Sequence, residues 1–160
     1  MRETQRFKTL RHIETVRNFL NVVIRELLSR GEQHDQSKLE PPEVEAYDRI
    51  TDGLRGLTYG SEEYLAVLRN AQPAIAHHYA VYRHHPEHFE RGYREMTLID
   101  LLEMVCDWKA ATLRHHHGNI FKSIEINQER FGFSSELAQI LHNTAVWLEM
   151  QDVYHKADES

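Results

Sequence analysis

From Gln5 to Arg30, apolar side chains return every three or four positions as Phe7, Leu10, Ile13, Val16, Leu20, Val23, Ile24, Leu27 and Leu28. This spacing follows the 3.6-residue period and predicts an amphipathic helix of about seven turns that stops at Gly31. No later segment reads convincingly as a strand. The seven glycines and four prolines punctuate the sequence between periodic runs, so the fold class is read as all-α.

The rest of the chain divides at those same breakers. Pro41-Pro42 are placed to start a short helix over Glu43 to Ile50, and Gly53, Gly56 and Gly60 mark a loop. Ser61 suits the N-cap of a helix through Tyr64, Leu65, Leu68, Ile75, Tyr79 and Tyr82, with Pro73 expected to kink or split it and Pro86 to end it. Thr97 followed by Asp100 has the form of a capping box, and Leu98 to Leu113 is apolar nearly all round, which predicts a central helix. Helices over Lys122 to Arg130 and Ser134 to Tyr154 complete the chain. With 160 residues and no internal repeat or linker, one helical domain over 1–160 is expected, its core at about 5–150 and its C-terminal tail polar.

Composition removes several functional classes. Hydrophobic residues make up 41% and charged residues 28%, with a mean hydropathy of -0.62, which describes a folded globule rather than a disordered or low-complexity chain. The net charge of -6 supplies no footprint for duplex nucleic acid. Val22-Val23-Ile24 is the longest aliphatic run, so no membrane helix is expected. Arg2, Arg6, Lys8 and Arg11 precede no apolar signal region. The single cysteine, Cys106, rules out an internal disulfide, and a cytoplasmic location is expected.

Histidine is the unusual count, at 12. His12 lies at the edge of the first helix's apolar arc, where a histidine is more often a boundary residue than a ligand. His34-Asp35 are adjacent just past Gly31 and offer an imidazole nitrogen and a carboxylate oxygen to one cation. Residues 76–88 hold five histidines. On a helical wheel His78 and His85 flank the face of Ile75, Tyr79 and Tyr82, while His77 and His84 point further away, which makes His78 and His85 the better ligands. His85 precedes a proline, so the choice between His84 and His85 stays open. Asp100, Glu103 and Asp107 share one face of the central helix and need a neutralising partner, either Arg114 or a divalent metal. His115-His116-His117 reads as a helix end that complements the dipole.

In chain order His12, His34-Asp35, His78, His84-His85 and Asp107 resemble the HD superfamily of metal-dependent phosphohydrolases. Those are all-helical domains whose signature is a His, a His-Asp pair and a late Asp on separate helices. The resemblance covers roughly residues 8–114 and looks closest to short HD-like proteins of bacteria and their phages. His34-Asp35-Gln36-Ser37-Lys38 is similar to the His-Asp-x-Gly-Lys of HD-GYP phosphodiesterases and myo-inositol oxygenase, with Ser37 replacing glycine. The Gly-Tyr-Pro motif is absent, so cyclic dinucleotide specificity does not carry over.

The resemblance implies a compact HD-like domain of five to seven helices around one or two divalent transition metals, with Mn, Fe, Ni, Co and Zn all admissible. His12, His34, Asp35 and Asp107 would hold one ion, and Asp35 would bridge to a second held by His78 with His84 or His85. Lys38 would face a phosphate, and Glu103 would carry a proton or orient a ligand histidine. The implied activity is hydrolysis of a phosphoester on a nucleotide or another small phosphorylated molecule through an activated water. Two alternatives share the ligands: a di-iron HD-type oxygenase, and a non-catalytic metal-stabilised module that binds a nucleotide or a protein.

Overall fold

In a computed structural model the chain is described over residues 4–54, 62–114 and 118–151. Among these residues every regular element is helical. The α-helices are α1 (Gln5–Gln33), α2 (Glu43–Leu54), α3 (Glu62–Asn70), α4 (Gln72–Val81), α5 (Leu98–Thr112), α6 (Ile120–Phe131) and α7 (Ser135–Glu149). Short 3-10 turns cover Gln36–Leu39, Pro86–His88 and Gly92–Glu95. The chain divides into two compact units, Met1–Tyr82 and Arg83–Ser160, and each is described by itself. No described helix is long and apolar enough to cross a membrane.

In the first unit Thr4 caps α1 by accepting from the Phe7 N–H. The helix continues through Gly31 to Gln33, because one interior glycine costs only about 1 kcal/mol relative to alanine and does not terminate a helix by itself. The stop comes at Asp35, a non-glycine residue in the left-handed region at φ 57. That is the conformation in which helices commonly end, usually on glycine.

Helix α2 packs on the Gln36–Leu39 turn and on α3 and α4. It runs past the predicted end at Ile50 to Leu54 and includes Gly53. A Cβ on Gly53 would sit 3.2 Å from a Val67 methyl, so the missing side chain lets α2 approach α3. Pro73 splits the expected long helix into α3 and α4, joining the first turn of α4 where its absent N–H is not needed. The N-cap expected at Ser61, and Gly56 and Gly60, lie outside the described residues. Among the described residues of this unit, the buried apolar ones are Ala46, Ile50, Ala71 and Ala74. Glu43 and His78 are buried in the same unit, so part of its interior is polar.

The second unit is built on α5, α6 and α7, which pack on one another around Met104, Val105, Ile120, Ile124, Phe133, Leu141 and Ala145. Thr97 and Asp100 form the capping box of α5, and Met104 and Val105 are completely buried. Asn119 caps α6, accepting from the N–H groups of Phe121 and Lys122. Gly132 ends that helix at φ 68, a conformation that glycine adopts without steric cost. Ser134 caps α7, which ends at Glu149. Tyr154 and the His115–His117 run lie outside the described residues.

Candidate metal centre

In the first unit α4, α2 and the Gln36–Leu39 turn with the preceding Asp35 converge on the imidazole of His78. Helix α4 buries this ring at 1% exposure, and Glu43, the first residue of α2, is fully buried. Glu43 Oε2 lies 3.0 Å from His78 Nδ1, and its other oxygen lies 2.6 Å from Nδ1 of His77. On the opposite side of the ring, Asp35 Oδ1 is 3.2 Å from His78 Nε2. Lys38 Nζ meets Asp35 Oδ2 at 2.6 Å and stands 4.9 Å from the centre of the Tyr47 ring. The Tyr82 hydroxyl accepts from the Ser37 N–H at 2.8 Å, while the Tyr82 ring packs tilted against His78. His34 caps the end of α1, its Nε2 3.7 Å from Asp35 Oδ2.

The electrostatics of this cluster favour carboxylates. Burial by itself raises the Asp35 carboxyl, yet hydrogen bonds from His78 and Lys38 and the charges of Lys38 and His34 more than offset it, holding Asp35 well below the usual carboxylate range. Burial likewise works against ionised Glu43, but hydrogen bonds from His77, Ser37 and His78 and the His78 charge pull it down. Tyr47 is pushed upward, first by burial and then by the charges of Glu43, Tyr79 and Asp35, so its hydroxyl stays neutral.

Because both carboxyl groups are lowered on folding, the unfolded chain takes up protons that the folded unit refuses. The stability they contribute is fully present above their unfolded values, near pH 4, and is lost as pH falls through the lower folded ones. Acid titration of the circular dichroism signal is therefore expected to show a loss of folding free energy below about pH 4.5. Asp35→Asn is expected to flatten that slope, and an unchanged slope would refute the assignment.

Carboxylates stand at both ring nitrogens of His78. A cation held by Asp35 and Nε2, with Glu43 accepting from Nδ1–H, would give the carboxylate–histidine–metal arrangement. The observed 3.2 Å between Nε2 and Oδ1 is close to the roughly 3.3 Å between neighbouring ligand atoms of a tetrahedral ion with bonds of about 2.0–2.1 Å. The imidazole and carboxylate donors fit a metal ion.

The second unit repeats the motif in reduced form. His84 is buried, and its Nδ1 lies 3.0 Å from Glu103 Oε1 of α5. The half-buried His85 lies tilted against it, with ring centres 4.1 Å apart. The wheel that favoured His85 over His84 does not apply, because α4 ends at Val81 and Tyr82 is extended; His84 is the buried member. Asp107 is half-buried on α5, one turn beyond Glu103. Asp100 is neutralised by Arg83, whose Nε and Nη2 each lie 3.2 Å from its oxygens, and the exposed Arg114 is not required for this.

Helix α1 does not bring His12 to the His34-Asp35 pair. His34 follows His12 by 22 positions along one continuous helix, a distance of roughly 33 Å at 1.5 Å per residue. The expected common ligand set of His12, His34 and Asp35 is therefore corrected within one chain. Glu43 is the residue the sequence reading missed. Ligand atoms of Asp35 and His78 in the first unit, and of His84 with His85 or Glu103 in the second, lie within 4.8 Å of one another.

Fold and site together define an all-α protein with buried carboxylate–imidazole clusters of the kind that can hold a metal ion. The DUF5662 profile, described as a family of unknown function, matches residues 1–150, and the chain belongs to that family. No curated protein and no solved structure matches the sequence.

Proposed function

We propose that the chain is a metal-dependent phosphohydrolase of HD type acting on a nucleotide or another small phosphorylated molecule. The observation that carries this reading is buried His78 set between the carboxylates of Glu43 and Asp35. In this reading the first unit offers His34, Asp35 and His78 as ligands, and the second unit offers His84, His85 and Asp107, each set taken within its own unit. A bound divalent cation supplies the Lewis acidity that polarises a phosphoryl oxygen and makes water a nucleophile near neutral pH.

The chain's own groups do the positioning. Glu43 fixes the orientation of His78 by a hydrogen bond at Nδ1, and the Glu103 carboxylate lies beside Nδ1 of His84. Lys38 holds Asp35 in place and offers a cation to a phosphate oxygen. In this reading Glu103 also carries a proton to a leaving group.

Elemental analysis of untagged protein, paired with phosphate release from a panel of nucleotides and phosphomonoesters, tests the proposal. Wild type is expected to carry one or two transition-metal ions per chain and to release phosphate. Asp35→Ala and His78→Ala are expected to lose metal and at least 100-fold in turnover. No metal after reconstitution would overturn the reading, and bound iron with oxygen uptake in place of phosphate release would replace it with the oxygenase.

A further inference from the structure

Helix α1 is 29 residues long, and none of them is buried. Its large apolar side chains, the half-buried Leu27 apart, are instead 37–69% exposed, from Val23 at the low end to Phe19 at the high end. Ile13, Val16, Leu20, Val23 and Leu27 follow one another at intervals of three, four, three and four, the spacing of a seam that packs against another helix. A contiguous exposed stripe of this size exceeds what monomeric proteins ordinarily leave open to water.

We propose that this seam is a homodimer interface in which the α1 helices of two copies pair antiparallel. Area and charge both point to a second copy. A packed pair of helices of this length, with ten large apolar side chains exposed on each, covers a surface comparable to the roughly 1,200–2,000 Å² of stable interfaces. Residues 5–19 carry four cations (Arg6, Lys8, Arg11 and Arg17) against Glu14, whereas residues 20–33 carry Arg25 and Arg30 against Glu26 and Glu32. Parallel pairing sets the two basic halves against each other. Antiparallel pairing sets each basic half against a balanced one and gives the self-complementary geometry of a two-fold axis. The pairing places the two copies' His34-Asp35 pairs at opposite ends of a helix pair about 43 Å long.

Sedimentation equilibrium of the full chain at 5–100 µM, a range set on the order of a micromolar Kd, tests the inference. Wild type is expected at twice 18.9 kDa, and Leu20→Glu at the monomer mass with its other helices retained by circular dichroism. Asn18→Glu, on the polar face of α1, is expected to remain dimeric and controls for added charge. In a Cys106→Ser background, Gln33→Cys is expected not to form an interchain disulfide, because antiparallel pairing separates the two copies of position 33. A wild-type monomer at 100 µM would overturn the proposal, as would a Leu20→Glu dimer. Ready cross-linking at position 33 would overturn the antiparallel arrangement. None of these readouts depends on metal or on turnover.

Discussion

Glu43→Gln is expected to lower metal affinity 10–100-fold and to destabilise the first unit by about 2–4 kcal/mol. Glu43 is fully buried and serves two histidines, His77 at 2.6 Å and His78 at 3.0 Å. Glutamine preserves the shape but replaces one accepting oxygen with a donor, so one imidazole loses its partner inside the protein. The loss is greater than for a surface ion pair because neither Glu43 nor His78 can turn to water. His77→Ala separates the two roles: His77 is 45% exposed, and its removal is expected to cost less than about 1 kcal/mol and to leave metal binding within about threefold. A metal titration by competition with a chromophoric chelator, alongside urea denaturation, reads both effects. Equal effects of the two substitutions would remove Glu43 from its positioning role.

Asp100→Ala is expected to destabilise the second unit by about 3 kcal/mol while leaving metal content unchanged. The carboxylate is completely buried and accepts from the Thr97 N–H at 2.7 Å, from the Thr97 hydroxyl at 2.8 Å and from Arg83 at 3.2 Å. The cap accounts for about 1 kcal/mol of the loss. The remainder is the desolvated partners left behind, discounted because Arg83 is 43% exposed and regains water. Trp108, stacked 6.1 Å from Phe133 in the core, reports the transition by fluorescence, cleanly in a Trp147→Phe background because Trp147 is exposed. A metal loss equal to that of Asp35→Ala would instead make Asp100 part of the metal centre.

These two residues mark how far the sequence could be read. The Thr97-to-Asp100 capping box is a local pattern, so a three-residue spacing was enough to place the start of α5. The adjacent His34-Asp35 pair was visible for the same reason. Glu43 gave no such signal: behind two prolines it reads as an ordinary acid in a first helical turn, and its meeting with His77 and His78 depends on how α2 packs on α4. Periodicity found the helices but misplaced some ends. It stopped α1 at Gly31, although a single glycine is affordable there, and it carried the α4 phase on to His84 and His85, past a helix that ends at Val81. His12 looked like a ligand by chain order, which carries no distance; one unbroken helix supplies about 33 Å of it.

The left-handed backbone at Asp35 has a consequence for sequence change. At φ 57 a side chain costs conformational energy that glycine avoids. A lineage selected only to fold would drift to glycine at position 35, and one selected for what the carboxylate does would hold aspartate against that pull. Parallel libraries of this chain, sorted once for thermal endurance and once for retained metal, should therefore diverge at this codon before any other in the first unit.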